Sequence, residues 1–215
     1  MTFGPDQPQR FLTAWFGPPS RDAPEPAASD VPAALASWHR QVGRWDPPVI
    51  RHNQVPAGRE MDGDMLLVGI ENQAVWLWGV PDSGGNPLVW ERENQPGADW
   101  TPTGARLDEF LCLFMLTDAL LGARFGLVAL DVSAAALARF TPGWTALPAT
   151  QWPGSHQTLW TMDGLLGWTI RNGRMDAPAT DASTYTIQVA ARTDHDLAVL
   201  DDTGIAWDWV SRIDL

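Results

Sequence analysis

Lysine is missing from this sequence: all fourteen basic residues are arginine. A phosphate-binding loop of the Walker type, the strand lysine of a protein kinase and a Schiff-base amine are therefore excluded. Cysteine is nearly missing as well. Cys112 stands alone, so an internal disulfide and a thiolate zinc cluster are ruled out. It lies in the apolar run Phe110-Leu111-Cys112-Leu113-Phe114, which reads as a small buried hydrophobe and not as a nucleophile. Positive charge is scarce, with 14 arginines against 26 acids and a net charge of −12. That leaves no basic stripe for phosphate contacts, so direct nucleic-acid binding is not expected. No apolar run approaches the roughly 20 residues of a membrane span, and Met1 to Arg10 carries no basic-then-apolar signal pattern. The expectation is a cytoplasmic chain without membrane contact.

What is present suits a packed core. The 215 residues are 45% hydrophobic and include thirteen tryptophans. The spacing predicts a short helix over Gln7 to Phe16 stopped by Gly17, and a connecting loop over Pro18 to Asp30. A second helix follows, with Asp30 as cap, Pro32 in its first turn, Leu35, Trp38 and Val42 on one face, and Gly43 as stop. His39 reads as the polar flank of that helix. Strands are predicted at Met65 to Ile70, Ala74 to Val80 and Pro87 to Glu91. The run Val75-Trp76-Leu77-Trp78 is apolar on both faces, as in a covered sheet. Arg106 to Gly122 is the strongest helix, and Val132 to Phe140 a shorter one with Asp131 as cap. Further strands fall at Thr158 to Asp163, Leu165 to Arg171 and Tyr185 to Ala191. In the tail, Thr193 and Asp196 suggest a capping box, with Gly204 as terminator. The alternative there is a hairpin turning at Asp201-Asp202-Thr203-Gly204, and the helix is favoured. A single α+β domain over 1–215 is the economical reading, with a short helix and loop (1–30) preceding the core.

Catalytic patterns are wanting. No two of His39, His52, His156 and His195 have the one-turn spacing of helical metal ligands. The run Asp194-His195-Asp196 with Asp201-Asp202 lacks the alternation of a calcium loop and reads as a solvated cap. There is no nucleophile elbow and no glycine-rich phosphate loop. Carboxylate pairs such as Asp62 and Asp64 carry no enzyme claim without a cleft. No catalytic residue, cofactor or metal site is expected. Trp76, Trp78, Trp90 and Trp100 fall in one sheet region, mostly as core, with a share left for a partner surface.

The segment from Asp62 to Val80, Asp-Gly-Asp-Met-Leu-Leu-Val-Gly-Ile-Glu-Asn-Gln-Ala-Val-Trp-Leu-Trp-Gly-Val, resembles the signature stretch of the SUKH superfamily. That group includes the fungal Smi/Knr cell-wall regulators and many bacterial proteins. The resemblance extends back to Leu35-Ala36-Ser37-Trp38-His39 and forward through Pro87-Leu88-Val89-Trp90 to Leu107-Asp108-Glu109-Phe110-Leu111. Ala74 departs from the pattern, since such sequences often have glycine there; a positive φ at this position would make the alanine unfavourable, whereas a strand position would cost nothing. The resemblance implies an α+β fold with a curved, mainly antiparallel sheet packed by helices. It also implies a non-catalytic immunity protein that binds and neutralises a cognate polymorphic toxin, a nuclease or deaminase. The alternative is a regulatory protein-binding scaffold of the Smi/Knr type. The family-motif residues are Glu71, Asn72, Gln73, Trp76 and Trp78. Glu71, Asn72 and Gln73 either form a recognition patch or satisfy backbone groups at a strand bend, and the structural role is favoured for Asn72 and Gln73. Asp62, Asp64, Asp82 and Asp99 are the candidate partner-facing acids, suited to a basic partner.

Overall fold

The computed structural model describes residues 7–24, 31–46, 48–82, 84–147, 157–173, 178–180 and 182–212. These residues form two compact units, one ending at Asp118 and one beginning at Ala119. The α+β class holds, with two antiparallel sheets instead of one. No helix among the described residues is long and apolar enough to cross a membrane.

The first unit begins with α1 (Gln7–Phe16) and α2 (Ala33–Val42), both where the spacing puts them. Leu35 and Trp38 form the buried stripe of α2, and Pro32 holds the cap position; Asp30 lies outside the described residues. His39 is more than a polar flank. It is half-buried, and its Nε2 lies 2.9 Å from the Pro56 carbonyl. Burial pushes its pKa below the usual 6.5, with the Pro56 bond pulling the other way.

A five-stranded sheet follows in chain order: β1 (Met61–Asp62), β2 (Met65–Ile70), β3 (Trp76–Pro81), β4 (Leu88–Glu93) and β5 (Thr101–Arg106). One face lies on α3 (Leu107–Leu121). Trp78 meets Phe110 and Phe114 with ring centroids 5.8 and 5.3 Å apart, a tilted and edge-on aromatic cluster. On the other face, a Cβ at Gly79 would sit 3.0 Å from the Trp100 ring, so only glycine lets that indole lie flat against the strand. The run Val75–Trp78 is not covered on both faces as expected. Val75 and Trp76 are 50% and 38% exposed, while Leu77 and Trp78 are buried. Trp76 opens its strand beside the turn, where neither face is roofed.

Helix α3 begins as a capped helix should, with Glu109 Oε2 accepting from the Arg106 backbone N–H at 3.1 Å. Cys112 is buried in it, and burial pushes the thiol up to about 12, with the nearby Asp108 charge adding to the shift. Asp118, only 1% exposed, is the one charged side chain among the buried residues of the described chain.

The second unit holds a six-stranded sheet made of β6 (Phe125–Ser133), β7 (Thr145–Ala146), β8 (Gln157–Met162), β9 (Leu165–Arg171), β10 (Thr184–Ala191) and β11 (Trp209–Arg212). Its spatial order is β11-β6-β10-β9-β8-β7. Its core gathers Leu127, Ala129, Phe140, Trp144, Ile187 and Leu200, with the Phe140 ring tilted against Trp144 at a centroid distance of 5.1 Å. Helix α4 (Ala134–Phe140) is shorter than expected and is capped by Ser133, whose hydroxyl accepts from Ala136 N at 3.2 Å. Asp131 is no cap. It sits in β6 at φ 51, where the register against β10 slips between Tyr185 and Ile187. An extra residue has to be absorbed there, and aspartate enters the left-handed region more readily than most residues. In the tail the favoured helix is present as a 3-10 helix, His195–Thr203, ended by Gly204 at φ 67. The capping box is reciprocal: Thr193 N donates to Asp196 Oδ2 at 3.0 Å, and Asp196 N to Thr193 Oγ1 at 3.2 Å.

Candidate functional site

Two features of the first sheet collect the family-motif residues and the candidate acids. The first is the turn between β2 and β3. Glu71 closes it with its own carboxylate, Oε2 accepting from Gln73 N at 2.9 Å and Val75 N at 3.3 Å. Its backbone spans the same turn, with Glu71 N donating to Trp76 O at 3.0 Å and Ala74 N to Glu71 O at 2.7 Å. Ala74 takes φ 55, the left-handed conformation that glycine accepts without strain.

Asn72 belongs to a longer chain of bonds. The buried Asp118 carboxylate accepts from three consecutive backbone N–H groups: Arg51 at 2.7 Å, His52 at 3.0 Å and Asn53 at 2.6 Å. A carboxylate holding successive backbone donors is charge-assisted and fixes the loop as a unit. The side chains so placed reach the turn. Asn53 Oδ1 accepts from Asn72 N at 3.2 Å, and Asn72 Nδ2 lies 2.9 Å from His52 Nε2. Glu71 and Asn72 thus have bonding tasks within the fold, while Gln73 is simply exposed.

The second feature is a groove of about 690 Å³ on the face of the sheet away from α3, between the β1–β2 hairpin and the loop after β4. Asp62, Asp64, Arg92, Asn94, Gln95 and Trp100 line it. The Arg92 guanidinium lies over the Trp100 ring at 5.2 Å and donates to Asp62 Oδ2 from Nε at 2.9 Å and from Nη2 at 2.6 Å. Two bonds and a stacked ring hold this arginine in one pose.

The four candidate acids therefore divide. Asp62 is committed to Arg92, and Asp82 to Arg59 in an exposed pair whose hydrogen bond holds the Asp82 carboxyl below the usual carboxylate range. Each is paired with an arginine distant in sequence. Asp64 and Asp99 are exposed and make no hydrogen bond or ion pair among the described residues. The tryptophans divide too. Trp78 is core, its indole N–H donating to Glu91 Oε2 at 3.1 Å, whereas Trp76 is partly exposed. Burial raises the Glu91 pKa, and the Trp78 bond offsets part of that shift.

No motif in the sequence singles out Arg92 or Asp118 as site residues, and Trp100 enters there only as one of four tryptophans of the sheet region. Asp118 left a readable signal, as the lone acid in the apolar run from Phe110 to Leu121. Among the described residues no three His, Cys, Asp or Glu side chains gather as a metal site would require. Comparison with family models, with curated proteins and with solved structures finds no match for this chain.

Proposed function

We propose that this chain is a non-catalytic, cytoplasmic immunity protein of the SUKH kind, which binds and neutralises a cognate toxin domain with nuclease or deaminase activity. The carrying observation is the groove beside Trp100, lined by Asp64 and by an arginine that is already neutralised, with Asp99 exposed next to Trp100 in the chain. Its floor is stiff, and its spare charge is negative. The first unit supports this with sixteen acids against eight arginines. An arginine or lysine side chain projecting from a basic protein suits such a groove, by stacking on the aromatic wall and pairing with a carboxylate. A nucleic-acid-processing toxin has a basic channel, and an acidic protein that covers it gains association rate from steering.

The test is capture of partners from the natural host by the tagged protein, with salt raised from about 0.05 to about 0.5 M in the washes. One basic toxin domain is expected, released as salt rises. The double variant Asp64→Lys, Asp99→Lys should weaken its capture about tenfold or more, a loss of about 1.4 kcal/mol. Capture unaffected by charge reversal removes the groove from the reading. Recovery of cell-envelope regulators alone replaces it with the Smi/Knr-type scaffold.

A further inference from the structure

The second unit carries an unpaired strand edge beside an uncharged cleft. Strand β11 ends the six-stranded order, pairs only with β6, and has no further strand on its outer side among the described residues. Natural sheet edges are usually guarded by charge, proline or a bulge, because unpaired backbone groups template the pairing of another chain. Here the one charge in the strand is Arg212 at its end, and the beginning of the strand is apolar. Trp209 is 68% exposed and Val210 49%, and Leu130 on the adjoining strand is 55% exposed.

Beside this edge lies a cleft of about 250 Å³, bounded by Leu120 and Leu121 at the end of α3 and by Val128, Gln188 and Trp209 of the sheet. The register explains why those three share it. Val128 is the partner of both Trp209 and Gln188, so their side chains form one row across the same face. No residue lining the cleft is charged. Its volume falls below the roughly 300–1,000 Å³ of small-molecule sites, so it holds one side chain and not a cofactor.

We propose that β11 accepts an extended, uncharged segment of another protein as an added strand, with one aliphatic or aromatic side chain of that segment filling the cleft. Backbone bonds along the edge supply register, and the cleft supplies selectivity, the two parts of strand-addition recognition. Charge decides the occupant. A charged anchor would lose its hydration against a lining whose polar side-chain groups are only the Gln188 amide and the Trp209 indole N–H. Two copies of a chain of net charge −12 repel each other before their edges meet. The docking surface belongs to the second unit and the acidic groove to the first, and the two differ in chemistry. It should be indifferent to salt, whereas binding at the groove should not.

The experiment uses the full chain and capped seven-residue peptides of alternating threonine and valine, with leucine, phenylalanine or aspartate at the centre. Binding is read from indole fluorescence and from amide shifts of residues 209–212. The leucine and phenylalanine peptides should bind at least tenfold more tightly than the aspartate peptide, with the same affinity at low and high salt. Val210→Pro removes an edge N–H, and Leu121→Arg charges the cleft without touching the strand; each should weaken binding tenfold or more. Absence of binding at millimolar peptide overturns the proposal, as does binding that ignores the central residue and both variants. Sedimentation showing a dimer that Val210→Pro abolishes assigns the edge to a second copy and likewise overturns it.

Discussion

The two units place their loops by different physics. In the first, ionised side chains work inside or against the fold: Asp118 gathers three backbone donors, Arg92 bridges to Asp62, and Glu71 closes its own turn. In the second, the polar side chain that is buried is neutral. Thr169 lies 4% exposed, its hydroxyl accepting from the Trp160 indole N–H at 2.9 Å, while carboxylates such as Asp196 cap exposed chain ends. Net charge follows the same division, at −8 for the first unit (eight arginines, sixteen acids) and −4 for the second (six and ten).

Substitution of the two buried polar anchors sharpens this contrast most. Asp118→Ala leaves three backbone donors at residues 51–53 without their acceptor and should cost about 3 kcal/mol, read by chemical denaturation. Thr169→Val removes one neutral bond at nearly constant shape and should cost about 1 kcal/mol. Equal losses would end the distinction between charged and neutral anchoring.

The next contrast is between Ala74 and Asp131, the two residues other than glycine with positive φ among the described residues. Ala74→Gly should stabilise by about 0.5–1 kcal/mol, because relief of the left-handed alanine outweighs the added freedom of the unfolded chain. Asp131→Gly should fall within about 0.5 kcal/mol of zero. Its carboxylate accepts from Asn172 Nδ2 at 3.3 Å, and those bonds are lost as the strain is relieved. Thermal midpoints of the two variants compare them directly.

The smallest effect is on pH dependence. His39 has its pKa lowered in the fold, so below the ordinary 6.5 the unfolded chain binds the extra proton first. Its contribution is complete above that value and is lost as pH falls through the lowered native one. Glu91 has the opposite sign: its raised pKa favours the fold below 4.5, and that benefit disappears as pH rises through the native value. Denaturation at about pH 7.5 and about pH 5.5 should show the natural chain losing more stability than His39→Gln over that interval.

Elements with strong local punctuation are readable from the sequence alone. Helix α1 stops at Gly17, and β2 and β9 run over the expected Met65–Ile70 and Leu165–Arg171. Strand β5 is hidden by Pro102 and Gly104, which ordinarily demote a strand, and β6 by the bulge at Asp131 that interrupts its alternation. β11 follows the 3-10 helix too closely to be separated from it by pattern. At the candidate site, composition picks out the acids but not their partners. Arg92 lies thirty residues from Asp62, and Arg59 twenty-three from Asp82. Long-range pairing of this kind leaves no periodic trace. Ala74, expected to open a strand, lies instead in the turn before it at φ 55, a conformation the apolar pattern does not reveal.

Cys112 gives the molecule a clock. It is the chain's one thiol, it is shielded within α3, and its raised pKa leaves almost no thiolate at neutral pH. An alkylating reagent can modify it only while α3 is transiently undocked. Where reclosing outpaces the reagent, the labelling rate in the native protein, divided by that of the unfolded chain, is the fraction of time the helix spends open. A single thiol also gives a single exponential, so the open fraction of this one helix can be followed without adding a probe.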